Sequence, residues 1–578
     1  MKVNIHKNLT IANVLFVLCG TVLTVATTTR HIGFILEAFG DRRDLAALWM
    51  LVIALLALAG LAALVFRFRF LENTLAKLQP HSLPARALFV IFALLCAGLF
   101  AGNFYEHAYE HIEQLRNHPY WWYHLPYVYG LAADPLPYTP PQWLFSATIF
   151  FPAAVFYLFL CLSFVDVIRN LAATLTKGEK RVLLYGSLVS VLYIIVLYNF
   201  SNVYWAPVMK GTEAVIGADI LFQYDSGLRV IDNDFANPLL YRIGDSASLR
   251  HPLFDIFVLP IGIIARIVST KPLFNAIALQ AFQMSALTCS VIMLSRLVSP
   301  PNSKQKYLFI MLLFLSFPLL VGATPLERNV MTFVFLIFCI YECFNGKSAA
   351  LWVNGAIGAN PIYFPAALFY IKSRKTAVKD LLCGGGSFLL LLLVTGWFSI
   401  LIDYKAEFRD GVGLGYLSHG RTWYERLCYY ITFVESCLFS PAAGMMVSRE
   451  IPRFRMPASA FEGINPVGVI ILIVVIYGFA RNYKHRFAQV AFGFVLLSFL
   501  LMGVGGWAIA QRDTVFYTLF FSWAYISLIY LAIDKTFDEW VKTLALALLA
   551  VLCFIANGFA AVNILRFGIE YYPTAWPY

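Results

Sequence analysis

Apolar residues run through this 578-residue chain in unbroken stretches, separated by short charged turns or by longer stretches rich in Tyr, Trp and Phe. A helix of about 20 apolar residues crosses a ~30 Å hydrocarbon core. The stretches are continuous and do not alternate, so they exclude the strands of a membrane barrel. They predict spans near 9–28, 45–66, 86–103, 144–168, 182–201, 273–298, 307–324, 329–344, 380–402, 466–481, 487–509, 514–533 and 541–563. Between Leu351 and Ile371, Asn354, Asn360, Pro361 and Pro365 interrupt the pattern and predict a short broken hairpin with its freed backbone groups facing protein. HPLFDIFVLPIGIIARIV, from His251 to Val268, is too short and too proline-broken to span. It predicts an amphipathic helix lying along the membrane surface. The expected fold class is an all-α polytopic membrane protein: a transmembrane helix bundle with interfacial helices in long outer loops.

Composition agrees. The chain is 60% hydrophobic and 13% charged, about half the ~25% charge of a soluble domain. LTIANVLFVLCGTVLTVATTT has a basic start but lacks a small-residue cleavage pattern, and reads as a retained first helix rather than a signal peptide. The ten cysteines lie in or beside apolar stretches without a metal-type pair, so no disulfide framework is expected. The net charge of +11 does not point to nucleic acid, because the cations gather in short turns. These turns are Arg67 to Arg69 with Lys77 and Arg86, Lys177 to Arg181, Lys304 to Lys306, Lys372 to Lys379, and Arg481 to Arg486. By the positive-inside rule they are cytoplasmic, which leaves residues 104–143, 202–272 and 403–465 on the outer face. No repeat, low-complexity tract or soluble domain interrupts this order. The basic joint GEKR, Gly178 to Arg181, divides a four-helix N-terminal module (1–180) from the rest.

Chemistry-bearing residues concentrate in the outer stretches. QYDSGLRVIDNDFANPLLYRIGDSASLRHPLFDIFVLP, Gln223 to Pro260, carries five aspartates and three arginines between two apolar blocks. Asp225 is a carboxylate near lipid, where desolvation raises the pKa toward the range in which a carboxylate can exchange protons. A solvated or capping aspartate is the bland alternative. Asp232, Asp234, Asp245 and Asp255 compete for the role; Asp232-Asn233-Asp234 lacks the calcium-loop pattern, and Asp245-Ser246 reads as a helix cap. Arg229, Arg250, His251 and Arg328 are candidates to bind an anionic group, the arginines through paired donors. For Arg250 the bland alternative is snorkelling into headgroups, and for Glu327-Arg328 a helix-end ion pair. Arg512-Asp513 and SHGRTWYERL, with His419, Arg421 and Arg426, add an acceptor or headgroup site among aromatic rings. His107-Ala-Tyr-Glu110-His111 matches an inverted zincin pattern, but the third ligand would have to be His118 or His124 from NHPYWWYH, so an interfacial helix is the preferred reading.

From Arg181 onward the order of features is specific. A span is followed by an outer stretch with an early acid (Asp225), then His251-Pro252-Leu253-Phe254 opening an interfacial helix. A span, the basic turn SPPNSKQK, another span and the exit ATPLERN (Ala323 to Asn329) complete it. This order resembles the GT-C superfamily of glycosyltransferases that use polyprenyl-phosphate sugars, including protein O-mannosyltransferases and aminoarabinose transferases. The resemblance covers residues 181 to 400 and the last third only by general layout, with Asp225-Ser226 where the family has Asp-Glu and HPL where it has HPP. It implies a catalytic module at 181–402, an outer loop region at 403–465 and C-terminal transmembrane helices at 466–578. It also implies an inverting enzyme at the periplasmic side of a bacterial inner membrane, with Asp225, as general base, and Glu327 as its catalytic carboxylates. Arg229, Arg250, His251, Arg328, His419, Arg421 and Arg512 would bind substrate. The donor is then a polyprenyl-phosphate sugar, and the acceptor an envelope glycan or lipid-linked glycan. No cofactor is required, although some members use a divalent ion.

Three other readings compete. A flippase or transporter would bury ionisable residues at mid-membrane, whereas Glu342 and Arg296 sit near the basic span ends. A non-catalytic scaffold of an envelope polysaccharide complex would suit the N-terminal module. A ligase- or polymerase-like transferase of whole glycans would use the long 403–465 loop.

Overall fold

The computed structural model describes residues 2–29, 35, 39–40, 42–105, 142–205, 207–210, 213–216, 253–268, 271–299, 303–326, 329–396, 398, 422–441, 444–447, 452–455, 463–507 and 514–574. These residues are overwhelmingly helical. Nine of the described helices are long and apolar enough to cross a membrane, and the chain is an integral, multi-pass membrane protein. The chain divides into two compact units. One contains residues 1–173, 236–263 and 346–407, and the other 174–235, 264–345 and 408–578.

In the first unit, α1 (Lys2–Thr29), α2 (Arg43–Ala62), α3 (Phe70–Leu78), α4 (Leu83–Tyr105) and α5 (Gln142–Thr174) follow in order. α2 ends in a wider π turn, Ala63–Arg67, which closes on the basic Arg67 two residues before Arg69. Phe16 and Val17 of α1, Leu61 of α2, Val65 and Leu71 form one buried cluster with Leu390 and Val394 packed on it. Thr27 Oγ1 also donates to the Val394 carbonyl at 3.0 Å. Such a hydroxyl bond suits a helix pair in lipid, where van der Waals packing and interhelical hydrogen bonds drive association.

The second unit begins with α6 (Lys177–Phe200), the hairpin β1 (Pro207–Lys210) and β2 (Glu213–Ile216), and, beyond α7 (Phe254–Val268), α8 (Pro272–Val298). α9 (Lys304–Leu315) and α10 (Asn329–Phe344) follow. The interrupted stretch, in the first unit, forms the short α11 (Ala350–Ala359) and a 3₁₀ segment Pro361–Tyr370, and α12 (Ala377–Val394) completes that unit's helices. The second unit resumes with α13 (Trp423–Ser436), the hairpin β3 (Gly444–Val447) and β4 (Pro452–Arg455), α14 (Pro466–Arg481), α15 (Arg486–Ser498), α16 (Thr518–Thr536) and α17 (Glu539–Tyr571). Both hairpins are antiparallel, pairing Pro207 with Ile216 and Gly444 with Arg455 at their open ends. They lie in the long stretches for which only interfacial helices were expected.

α8 and α16 form the core of the second unit. Every residue of α16 from Thr518 to Ala532 is buried. Surrounded by protein, this helix tolerates Ser522, Tyr525, Ser527 and Tyr530 among its apolar residues, as a lipid-facing span would not. Tyr525 shares hydroxyl hydrogen bonds with Tyr430 (2.9 Å) and Ser498 (2.8 Å), and Tyr530 donates to Ser299 Oγ at 2.8 Å. α6 and α17, by contrast, leave Leu188, Val189 and Leu192, and Phe554, Ile555 and Phe559, largely exposed on apolar faces.

The basic ends of α6, α8 and α9 meet in an ion cluster. Thr176 and Glu179 form a reciprocal capping box at the start of α6. Arg296 binds the Glu179 carboxylate in bidentate fashion, through Nε at 2.8 Å and Nη2 at 2.6 Å. Lys306 donates to Oε1 of the same carboxylate. Arg296 also donates to Thr174 Oγ1 at 2.7 Å and to its carbonyl at 2.8 Å. Glu179 and Lys306 are 0% exposed, so two basic turns that read as solvated conceal a buried carboxylate with two cations.

Candidate functional site at the span ends opposite the basic turns

All nine site residues expected from sequence, Asp225, Arg229, Arg250, His251, Glu327, Arg328, His419, Arg421 and Arg512, lie outside the described residues. So do Asp232, Asp234, Asp245, Asp513, His107, Glu110, His111, His118 and His124. The structure describes the frame from which these residues depart.

The best-defined part of that frame surrounds Glu327-Arg328. α9 stops at Leu315, and the chain passes through a π turn, Pro318–Gly322, whose proline breaks the regular helical ladder. Carbonyls freed there need donors, because an unsatisfied backbone group in a membrane costs several kcal/mol. Neighbouring helices supply them. Gln280 Nε2 of α8 donates to the Ala323 carbonyl at 2.7 Å, and Tyr198 Oη of α6 donates to the Thr324 carbonyl at 3.0 Å. Tyr193 Oη reaches the Leu320 carbonyl at 3.2 Å. Gln283 Nε2 in turn donates to Gln280 Oε1 at 3.0 Å, so two buried amides on one helix form a relay that holds the turn. Leu326 is buried before Glu327-Arg328 and Asn329 is buried after it, opening α10.

The same frame holds the start of the 202–272 stretch. After α6, Asn202–Tyr204 forms one 3₁₀ turn capped by Ser201. The Tyr204 carbonyl accepts from Leu326 N at 2.9 Å, and Trp205 Nε1 donates to the Tyr198 carbonyl at 3.0 Å. Ser201 Oγ donates to the Tyr572 carbonyl at 2.8 Å, and Thr574 Oγ1 donates to the Tyr198 carbonyl at 2.9 Å, fastening the end of α17 beside it. The roots of the stretch with Asp225 and of the loop with Glu327-Arg328 are thus hydrogen-bonded directly to each other.

Two further roots are described. Immediately after His251-Pro252, Leu253 is fully buried and its N–H donates to the Gly358 carbonyl of α11 at 3.0 Å. A Cβ on Gly358 would stand 2.6 Å from the Cβ of Leu253, so this approach requires glycine. Helix α7 then runs from Phe254 to Val268 as a short amphipathic element, with Phe257 and Ile261 buried and Ile267 and Val268 exposed. Immediately after Arg421, Thr422 and Glu425 form a second capping box that starts α13. Arg426, grouped with Arg421 in the sequence, donates Nη1 to the Val504 carbonyl at 3.0 Å. Its guanidinium therefore satisfies a carbonyl freed where α15 gives way to the π turn Phe499–Val504.

Gln280 and Gln283 were not singled out from sequence, although amides in an otherwise apolar span signal a polar task. Glu435 was missed too. It is half-buried near the end of α13 and accepts from Asn465 Nδ2. Burial pushes its carboxyl above the ordinary glutamate range, opposed by the Asn465 donor. Among the described residues no group of three or more His, Cys, Asp and Glu side chains could hold a metal.

Comparison with protein-family models, with curated proteins and with solved structures yields no match for this chain.

Proposed function

We propose that the chain is a GT-C-type glycosyltransferase that moves a sugar from a polyprenyl-phosphate donor to a glycan or lipid-linked acceptor on the outer face of a bacterial inner membrane. The observation that carries this reading is the shared frame: Leu326 N on the Tyr204 carbonyl at 2.9 Å and Tyr198 Oη on the Thr324 carbonyl at 3.0 Å. It starts an acid-bearing stretch and a Glu-Arg loop from one place, at span ends opposite the basic turns. A lipid-linked donor suits that arrangement, since its tail remains among apolar helices while its head reaches a polar loop.

The acceptor hydroxyl oxygen attacks the anomeric carbon as the bond from that carbon to the phosphate oxygen breaks. The electron pair leaves with polyprenyl phosphate, and the hydroxyl proton passes to the Asp225 carboxylate. Arg229, Arg250, His251 and Arg328 stabilise the charge that develops on the leaving phosphate, and Glu327 orients Arg328. His419, Arg421 and Arg512 bind the acceptor. Attack from the face opposite the phosphate inverts the anomeric centre. Asp225→Asn tests the reading: glycosylated product, measured by mass spectrometry of envelope extracts, is expected to vanish while the variant accumulates at the wild-type level. Undiminished product with Asp225→Asn would support a scaffold; exposure of lipid-linked sugar without transfer would support a flippase.

A further inference from the structure

Glu435 belongs to none of the roles assigned above. It lies in the buried half of α13, between Val434 and Ser436, both buried. None of the described lysines, arginines or histidines forms an ion pair with it. Its side-chain partner is Asn465, the fully buried cap of α14. Asn465 Oδ1 accepts from Val467 N at 2.9 Å and from Gly468 N at 3.3 Å. Those two bonds fix the amide orientation, because a flipped side chain would point its NH₂ at two backbone donors. Asn465 must then present Nδ2 to Glu435 Oε2. That oxygen is always an acceptor, so the proton of a neutral Glu435 sits on Oε1.

The backbone fixes this contact further. A Cβ on Gly468 would lie 2.1 Å from the Ile431 carbonyl, so α14 starts directly on the backbone of α13, one turn before Glu435. Phe433 packs edge-on against Phe521 near the start of α16, at the end away from Asp534 and Lys535. α14 likewise has its only cation, Arg481, at the opposite end. The other titratable groups on elements against α13 are Tyr477, Tyr517, Tyr525 and Tyr530; on α13 itself and its C-cap they are Tyr424, Glu425, Arg426, Cys428, Tyr429, Tyr430 and Cys437. Glu435 therefore combines an oxygen clamped by Asn465, a side chain that is only half-buried, and a place on the helix that begins directly after Arg421.

We propose that Glu435 is a further substrate-binding residue, whose Oε1 accepts a hydrogen bond from a hydroxyl of a polyhydroxylated acceptor. The identity of the acceptor side rests on the glycosyl-transfer reading, whereas the carboxyl's affinity for a vicinal hydroxyl does not. Burial without a cation among the described residues leaves the carboxylate short of donors, and a sugar hydroxyl supplies one without adding charge.

The test uses the full chain in phosphatidylcholine nanodiscs and dicyclohexylcarbodiimide, which reacts with protonated carboxyls in apolar surroundings. Adducts are located by peptide mass spectrometry. Glu435 is expected to be labelled, with labelling fading as the pH rises through a midpoint above the ordinary value of about 4.3. Octyl β-D-glucopyranoside, below its micelle concentration, is expected to slow labelling roughly tenfold, as for a hydrogen bond to a charged group. Octyl tetraethylene glycol ether, with the same tail and no vicinal hydroxyls, is expected to leave it unchanged. Glu435→Gln removes the adduct; should that variant fail to fold, the comparison of the two octyl probes on the wild-type chain still decides. Absence of an adduct at every pH, or equal effects of the two probes, overturns the proposal. Asp225→Asn should keep both labelling and protection. Protection combined with undiminished glycosylated product in cells carrying Asp225→Asn would leave Glu435 as a hydroxyl site and favour the scaffold reading over the transferase one. Loss of transfer without protection would remove only the Glu435 assignment.

Discussion

Removing the charge of Glu179 leaves Arg296 and Lys306 without their shared anion at the meeting of α6, α8 and α9. Glu179 accepts from Arg296 at 2.8 and 2.6 Å and also from Lys306, and its side chain is 0% exposed. Breaking a buried ion pair by neutralising one partner costs about 3–5 kcal/mol, because the remaining charge stays buried and uncompensated. Glu179→Gln keeps the shape and one acceptor oxygen, so about 4 kcal/mol is expected. Lys306→Met behaves differently. The cluster holds two cations and one anion, so removing Lys306 leaves a one-to-one bidentate pair, and the unbranched methionine fills most of the lysine's volume. The cost should be about 1 kcal/mol or less. At roughly 3 °C per kcal/mol for a large domain, Glu179→Gln loses about 12 °C and Lys306→Met about 3 °C at most. Size-exclusion chromatography of detergent-solubilised protein after graded heating measures both. Equal losses for the two variants, or a neutral Glu179→Gln, would refute the reasoning.

Three further outcomes follow from the same contacts. Gln280→Leu strips the Ala323 carbonyl of its donor at 2.7 Å and is expected to lower sugar transfer roughly a hundredfold by shifting the Glu327-Arg328 loop, read as kcat in membranes with protein level held constant. Gly358→Ala sets a Cβ 2.6 Å from the Cβ of Leu253 and should cost about 1–3 kcal/mol. Leu253→Ala, which keeps that Cβ but removes the Cγ and Cδ1 that would lie 2.9 and 2.8 Å away, should restore part of it in a double-mutant cycle of melting temperatures. In intact cells, an impermeant maleimide should label Ser226→Cys directly but Ser303→Cys, in the basic turn before α9, only after permeabilisation, each compared with the unsubstituted chain.

Nine of the thirteen expected spans coincide with described helices long and apolar enough to cross a membrane, because lipid imposes one dominant requirement, a continuous apolar helix of sufficient length; those near 307–324, 329–344, 466–481 and 514–533 do not. Even the break at Asn360-Pro361 was visible, as α11 followed by the 3₁₀ segment Pro361–Tyr370. The two hairpins were not. Their four-residue strands, PVMK with EAVI and GMMV with PRFR, carry too little alternation to stand out from interfacial chain. Lys306 and Glu179 were hidden for another reason. A charge next to a turn reads as solvated, and only the packing of three helix ends shows that Lys306 is buried while Lys304, two residues earlier, is exposed. The frame of the candidate site was half legible. ATPLERN marked a polar exit, but the relay from Gln283 through Gln280 to Ala323 depends on which face of α8 meets the π turn. For Glu435 the sequence offered only an acid in an aromatic stretch, and its significance lies in an asparagine 30 residues away.

The central claim is sugar transfer from polyprenyl phosphate, and the most direct measurement is donor turnover by the purified full chain. The chain is reconstituted in liposomes containing the lipid-linked sugars and glycans extracted from its host membrane, and free polyprenyl phosphate is followed by mass spectrometry. Wild-type protein should release polyprenyl phosphate in step with loss of the lipid-linked sugar, and Asp225→Asn should release none above empty liposomes. Equal release by the two proteins, or none by either while the sugar lipid merely changes leaflet, would contradict the account.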